Sequence, residues 1–387
     1  MRKLISAAIL ALLFASACPL WAQRVCPGYS IVIDTPEDKL TLAYNGADNP
    51  QEQIAAIDKF VQEHPDSKFL PCAYEYYTMA YLKLNQFDKV VEYGEKGLSG
   101  EYQDLMLMLN LLKGYVSSGK TSELAFQVIM KAPAEIKEEN TPGRPPNVSD
   151  EEWKKVEDDA ATQASEQRAY MEYAFFQLLQ REPDGSKRIQ WLDEFVKAYP
   201  DSPNQAQVNF NYFIAYKLTN NAEKLNEFGE KAVASDPENV YTLNVVADDY
   251  ASRQTNLDKA EEYAKKALEL APKMTKSQGM SDDEFKAQQN RQLGLAHFTL
   301  GQVELQRGAA KHRVAGAIDE FKAAADMLEG NPQLQGRALY YLGYANEVIY
   351  PPKHQAAIEA LTKAAELASP WQGEAQSLLA KVKAAAK

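Results

Sequence analysis

One stretch of eight residues carries the most specific chemical signal in the chain. Gly114-Tyr115-Val116-Ser117-Ser118-Gly119-Lys120-Thr121 matches the phosphate-binding pattern G-x-x-x-x-G-K-[ST] at every fixed position. In that chemistry backbone amides cradle the phosphates, Lys120 reaches the outer ones and Thr121 ligates Mg²⁺. The apolar run Leu105 to Leu112 could pass for the strand that precedes such a loop. Three features oppose it. Tyr115 and Gly119 also sit where a helical hairpin wants an aromatic and a turn residue. No alternation of strands and helices follows to build a parallel sheet. An export signal at the N-terminus directs the chain to where ATP is scarce. The mature chain is therefore expected not to bind Mg-ATP.

The remaining titratable residues form no convergent set. The histidines are His64, His297, His312 and His354, and none lies in a metal-ligand spacing. His297 falls in a first helix as a groove or core residue. No local Ser/His/Asp or Cys/His arrangement is present. Asp248-Asp249 and Asp282-Asp283-Glu284 are acidic clusters expected on solvated faces. Asn147-Val148-Ser149 is a formal glycosylation sequon. No catalytic residue, cofactor or metal is assigned.

The chain has 387 residues, 45% of them hydrophobic, and a formal net charge of −12. This balance disfavours nucleic acid, whose binders present a basic face, and an anionic membrane surface. The first residues read as a signal peptide. Arg2 and Lys3 precede an apolar stretch from Ile5 to Leu13, with candidate cleavage sites at Ala15-Ser16-Ala17 and Leu20-Trp21-Ala22. The stretch is short for a membrane span, which needs roughly 20 residues. Cleavage after Ala22 leaves Gln23 first. Ala15-Ser16-Ala17-Cys18 also resembles a lipobox, with Ala15 where leucine is usual, so lipid attachment at Cys18 is the alternative. Cleavage after Ala22 leaves Cys26 and Cys72, which an oxidising compartment can pair or leave as thiols.

These residues need positioning elements, and internal repetition identifies them. Phe87-Asp88-Lys89-Val90-Val91-Glu92-Tyr93-Gly94-Glu95-Lys96-Gly97-Leu98 returns as a similar phrase at Ala222 to Val233, at Leu257 to Leu268 and at Gln355 to Leu367. Apolar or small residues fall three and four apart, as one helix face requires. Tyr74, Tyr77, Tyr81 and Leu84 precede Val90, Val91, Gly94 and Gly97 across a turn at Asn85-Gln86. Leu300-Gly301 leads to Ala317, Phe321 and Ala324, and Leu342-Gly343 leads to Ala357, Leu361 and Ala364.

This pattern resembles the tetratricopeptide repeat, a helix-turn-helix unit of about 34 residues. The resemblance covers most of the chain from about residue 50. It implies an all-α fold, an α-α superhelix of stacked helical hairpins. Two weaker phrases, Ile54 to Ser67 and Ile189 to Ser202, read as second helices closing on Pro65-Asp66-Ser67 and Pro200-Asp201-Ser202. They resemble repeats of bacterial envelope proteins.

The expected organisation is a signal peptide (1–22), an N-terminal arm (23–49) with a strand or strap at Tyr29 to Ile33, and repeats over 50–131, 165–272 and 290–370. Polar inserts at 132–164 and 273–289 interrupt the repeats, and 371–387 form a capping helix. Trp153 is the residue of the first insert best suited to binding.

By the resemblance, the first helix of each unit lines a groove that holds protein or peptide segments. The exposed positions implied by repeat register are Glu75, Met79, Leu82, Phe210, Ile214, Lys217, Phe298, Gln302, Leu305, Tyr340, Tyr344 and Glu347. The expected function is a non-enzymatic scaffold or adaptor in the bacterial envelope, periplasmic or associated with the outer membrane. A lipid-anchored outer-membrane assembly factor and a self-assembling structural protein are the alternatives.

Overall fold

The computed structural model describes residues 29, 31–98 and 104–386. The signal peptide, Cys18, Cys26 and Ser30 lie outside the described residues. The described chain falls into two compact units. One includes the chain as far as Asn204 together with Ile214–Leu225, and the other comprises Gln205–Phe213 and Asn226–Lys387.

The first unit contains α1 (Pro36–Gly46), α2 (Pro50–Glu63), α3 (Leu70–Lys83), α4 (Phe87–Gly97), α5 (Leu105–Ser118), α6 (Glu123–Glu139), α7 (Asp150–Leu179) and α8 (Gly185–Ala198). Successive helices pack against one another as hairpins, so each apolar face is covered by its neighbours. The small residues of the repeated phrase set the approach: a Cβ on Gly94 would stand 2.9 Å from Leu111 Cδ1.

The N-terminal arm contains a helix, α1. Thr35 caps it and accepts from the Asp38 amide, and Pro36 sits at its start. Leu40 and Tyr44 are its buried positions. The described residues contain no strand. Tyr29 packs edge-on to Phe69 at 5.5 Å and donates its hydroxyl to the Lys68 carbonyl. Cys72, fully buried in α3, is disulfide-bonded to a partner outside the described residues.

The two Pro-Asp-Ser phrases do the same work. After α2 and after α8 the chain takes near-identical cap angles, at His64 (φ −133, ψ 57) and Tyr199 (φ −126, ψ 60). Each serine then ties back to a glutamate 30 residues earlier: Ser67 Oγ donates to Glu37 at 3.0 Å, and Ser202 Oγ to Glu172 at 2.5 Å. Each serine oxygen also accepts a backbone amide two residues on, from Phe69 and Asn204 at 3.1 Å. Glu172 is buried and additionally accepts from Asn204 Nδ2 at 2.7 Å and Arg168 Nε at 3.0 Å.

The first polar insert is largely helical. Its opening residues, to Glu139, complete α6, and its second half is helix. α7 begins at a capping box, Ser149 with Glu152, and its first buried residue is Gln167. Trp153 lies on that early stretch and donates its indole N–H to Glu157 at 2.9 Å.

α9 (Gln205–Leu218) and α10 (Ala222–Ser235) contribute to both units. The second unit continues with α11 (Val240–Ser252), α12 (Leu257–Leu270), α13 (Asp282–Gly308), α14 (Ala315–Met327), α15 (Pro332–Val348), α16 (His354–Glu366) and α17 (Gln372–Ala385). The second insert likewise ends as helix, because Ser281 and Glu284 start α13 with a capping box. In each of the last two hairpins a first-helix glycine meets the large apolar residue of the second helix. A Cβ on Gly301 would lie 2.7 Å from Phe321 Cδ1, and one on Gly343 2.4 Å from Leu361 Cγ.

A polar tie also recurs at fixed spacing. Tyr115 donates its hydroxyl to Glu95 and Tyr250 to Glu230, each carboxylate 20 residues earlier. Burial first, and then the facing carboxylate, drives both phenols far above the ordinary tyrosine range. They remain neutral donors.

Candidate functional site: the first-helix faces

Repeat register places every third or fourth residue of a first helix on one face, because side chains that far apart stand above one another. In the second unit this face is built from Asn244, Asp248 and Ser252 on α11, Phe298 and Gln302 on α13, and Arg337, Tyr340 and Tyr344 on α15. In the first unit it carries Met79 and Leu82 on α3, Lys113 on α5 and Tyr170 and Tyr173 on α7. The Lys113 ammonium lies 6.0 Å from the Tyr170 ring. Burial lowers the lysine pKa and raises that of the phenol.

The expected groove residues divide by exposure. Lys217 and Tyr344 are exposed, and Met79, Leu82, Phe210, Ile214, Tyr340 and Glu347 are half-buried. Glu75, Phe298, Gln302 and Leu305 are buried, at 4%, 2%, 3% and 6% exposure, which corrects the expectation that they stand open on the face. The reasons are tertiary. Glu75 is close enough to the stacked pair Tyr44 and Tyr76, 4.4 Å apart, to help burial push the Tyr44 phenol up. Tyr44 belongs to α1, which the sequence pattern did not place. Phe298 is covered by Arg337, whose guanidinium carbon lies 4.2 Å from the ring centroid.

Arg337 is the centre of this arrangement and was missed by the register reading. Its Nη1 lies 3.0 Å from Asp248 Oδ1, and Nη2 donates to Ser252 Oγ at 3.0 Å. A residue of α15 thus reaches across α13 to α11. Asp248 and Asp249 were expected on a solvated face. Asp249 is instead buried and paired with Arg253 at 2.6 Å, and Asp248 is mostly covered. Asp282 and Asp283 are exposed in the first turn of α13, where acidic side chains favour the positive end of the helix dipole.

Beside Arg337 runs an aromatic row. Tyr340 lies 5.1 Å from Trp371, Tyr341 lies 5.4 Å from Trp371, and Phe298 lies 5.5 Å from Tyr341. Tyr344, at 40% exposure, presents the largest open ring of the row. Burial raises the Tyr340 pKa, with smaller pushes from Tyr341 and Glu374. Histidines hold the far end: His354 Nδ1 is 2.9 Å from Glu347, and His312 Nδ1 is 2.7 Å from the Val348 carbonyl. His297 pairs with Glu320 at 2.7 Å. Among the described residues no group of three His, Cys, Asp or Glu side chains is placed to hold a metal, and no described helix is long and apolar enough to cross a membrane.

The phosphate-loop match is a helix ending. Gly114 to Ser118 are the last turn of α5, and Gly119 takes the left-handed conformation (φ 76) that terminates a helix. Carbonyls, not amides, converge there. Arg181 donates to the carbonyls of Tyr115 at 3.0 Å, Val116 at 2.8 Å and Lys120 at 3.3 Å. Lys120 itself pairs with Asp88 at 2.7 Å. A guanidinium stands where the pattern would need amide donors for an anion.

The described residues therefore define an all-α class of stacked helical hairpins with tetratricopeptide-like register. No family model matches the chain, and no curated protein matches it. Among solved structures it is similar to the APC/C hetero-tetramer Cut9-Hcn1, at 13% identity over 90% of this chain and 83% of that chain, with a TM-score of 0.27. It is also similar to yeast Tom70, at 13% identity over 90% of this chain and 95% of that chain, with a TM-score of 0.29.

Proposed function

We propose that the protein is a non-enzymatic scaffold that holds segments of other proteins on its first-helix faces, and that it works in the bacterial cell envelope. The observation that carries the binding reading is the row Tyr340, Tyr344 and Trp371. Tyrosine and tryptophan are among the side chains that contribute most where proteins meet. A partly exposed row of them at groove positions suits an extended or helical segment anchored by apolar side chains.

Two observations support export. The N-terminal residues have the charge, apolar stretch and small-residue sites of a signal peptide. Cys72 is disulfide-bonded, and such bonds persist chiefly in oxidising compartments. We assign Cys26 as its partner. A non-reducing peptide map should link the two, and a mature N-terminus lipidated at Cys18 and lost in Cys18→Ser would replace the soluble reading with the anchored one.

The test of the scaffold is crosslinking of the tagged mature protein in the source cell's envelope, followed by mass spectrometry. A few recurrent partners are expected, and Tyr340→Ala with Tyr344→Ala should remove them. Recovery of the protein crosslinked only to itself would sink the scaffold reading in favour of self-assembly.

A further inference from the structure

The face between α11 and α13 is short of hydrogen-bond donors. Asn244 Oδ1, Thr299 Oγ1, Gln302 Oε1 and Gln306 Oε1 are buried and have no donor. Their orientations are not arbitrary. The Asn244 amide group donates to the Gln292 side chain at 2.8 Å, and that of Gln306 to the Ala251 carbonyl at 2.6 Å, leaving the oxygens turned away. Native interiors seldom leave several acceptors unmatched together, since each has given up water for nothing.

The same two helices also supply a cradle for a guanidinium. It consists of the Asp248 carboxylate, the Ser252 hydroxyl and the Phe298 ring, supplied by α11 and α13. A carboxylate and a ring face are what an arginine side chain selects over lysine. Arg337 fills the cradle from a third helix, and none of its partners belongs to its own helix. The chain's excess of acids, 54 against 42 basic residues, adds attraction for a cationic segment.

We propose that this cradle recognises an arginine side chain in an extended segment of the partner, and that Arg337 occupies it until the partner arrives. The inference rests on the scaffold reading above and names the chemistry of what is held. The incoming guanidinium takes the Asp248 carboxylate and the Phe298 face, and Arg337 turns to solvent. An internal competitor weakens binding by the fraction of time it holds the site. Its removal strengthens binding.

The test uses the full chain and a fluorescein-labelled Gly-Ser-Arg-Ser-Gly amide, read by anisotropy. Citrulline and glutamate replace the arginine in two control peptides. Arg337→Ala should bind the arginine peptide about tenfold more tightly than the parent protein, with no gain for either control. Adding Asp248→Asn should abolish the gain. Equal binding of the arginine and citrulline peptides, or no gain in a variant whose circular dichroism matches the parent, overturns the proposal. If Arg337→Ala does not fold, Arg337→Gln serves for the same comparison. The peptides judge the cradle, whereas the crosslinked partners judge the scaffold, so the two readings fail separately.

Discussion

Replacing Glu172 by alanine is expected to destabilise the first unit by about 3 kcal/mol. The carboxylate is 2% exposed and accepts from Arg168, Ser202 and Asn204. Its removal strands three donors, two of them on the turn that leads into α9. Glu172→Gln keeps the shape and one acceptor oxygen, and should lose about half as much. The related Glu37 is only half-buried in the first turn of α1, where its side chain accepts from Ser67, so Glu37→Ala should cost about 1 kcal/mol. Urea melts followed by hydrogen exchange would check this ranking. Equal losses at the two glutamates would mean that burial does not set the strength of the tie.

The second large effect lies in the hairpin of α13 and α14. Phe321 is fully buried, 5.5 Å from Phe298 and 5.6 Å from Tyr341. Phe321→Ala should cost about 3–5 kcal/mol, the transfer of the ring plus the void it leaves. Gly301→Ala should cost about 1–3 kcal/mol by itself, because its new methyl group meets the Phe321 ring. The two are not independent. In a Phe321→Leu background the flexible leucine makes room, and the glycine substitution should become cheaper by about 1 kcal/mol. A double-mutant cycle by denaturant melts measures the difference. Strict additivity would show that the close approach carries no strain.

These two cases also mark what the sequence made legible. Gly301, Phe321, Gly343 and Leu361 were legible as repeat positions, and the structure shows that each glycine meets its large partner. The Pro-Asp-Ser phrases were visible as phrases, but Glu37 and Glu172 were not, because a tie across 30 residues leaves no local mark. α1 could have been read from Thr35-Pro36-Glu37-Asp38, a helix start with its cap and acidic first turn. Its short run of buried residues gave little periodicity to follow. Register read Phe298 as an open groove position, yet Arg337 covers its ring while bridging to Asp248 across 89 residues. An arginine and an aspartate so far apart look like two solvated charges until the helices are stacked.

The early stretch of α7 has a thermodynamic consequence. From Asp150 to Glu166 the helix runs about 25 Å before its first buried side chain at Gln167. A helix of that length is marginal in water when no neighbour holds it. Its winding depends on the Ser149–Glu152 box at one end and on the packed half of α7 at the other. The amides of α7 therefore form a gradient of opening free energy along a single rod, lowest at the tip and rising toward Met171. A partner that settled on the tip would wind it tighter, and the change would reach the packed half through continuous backbone, like torque passed down a shaft.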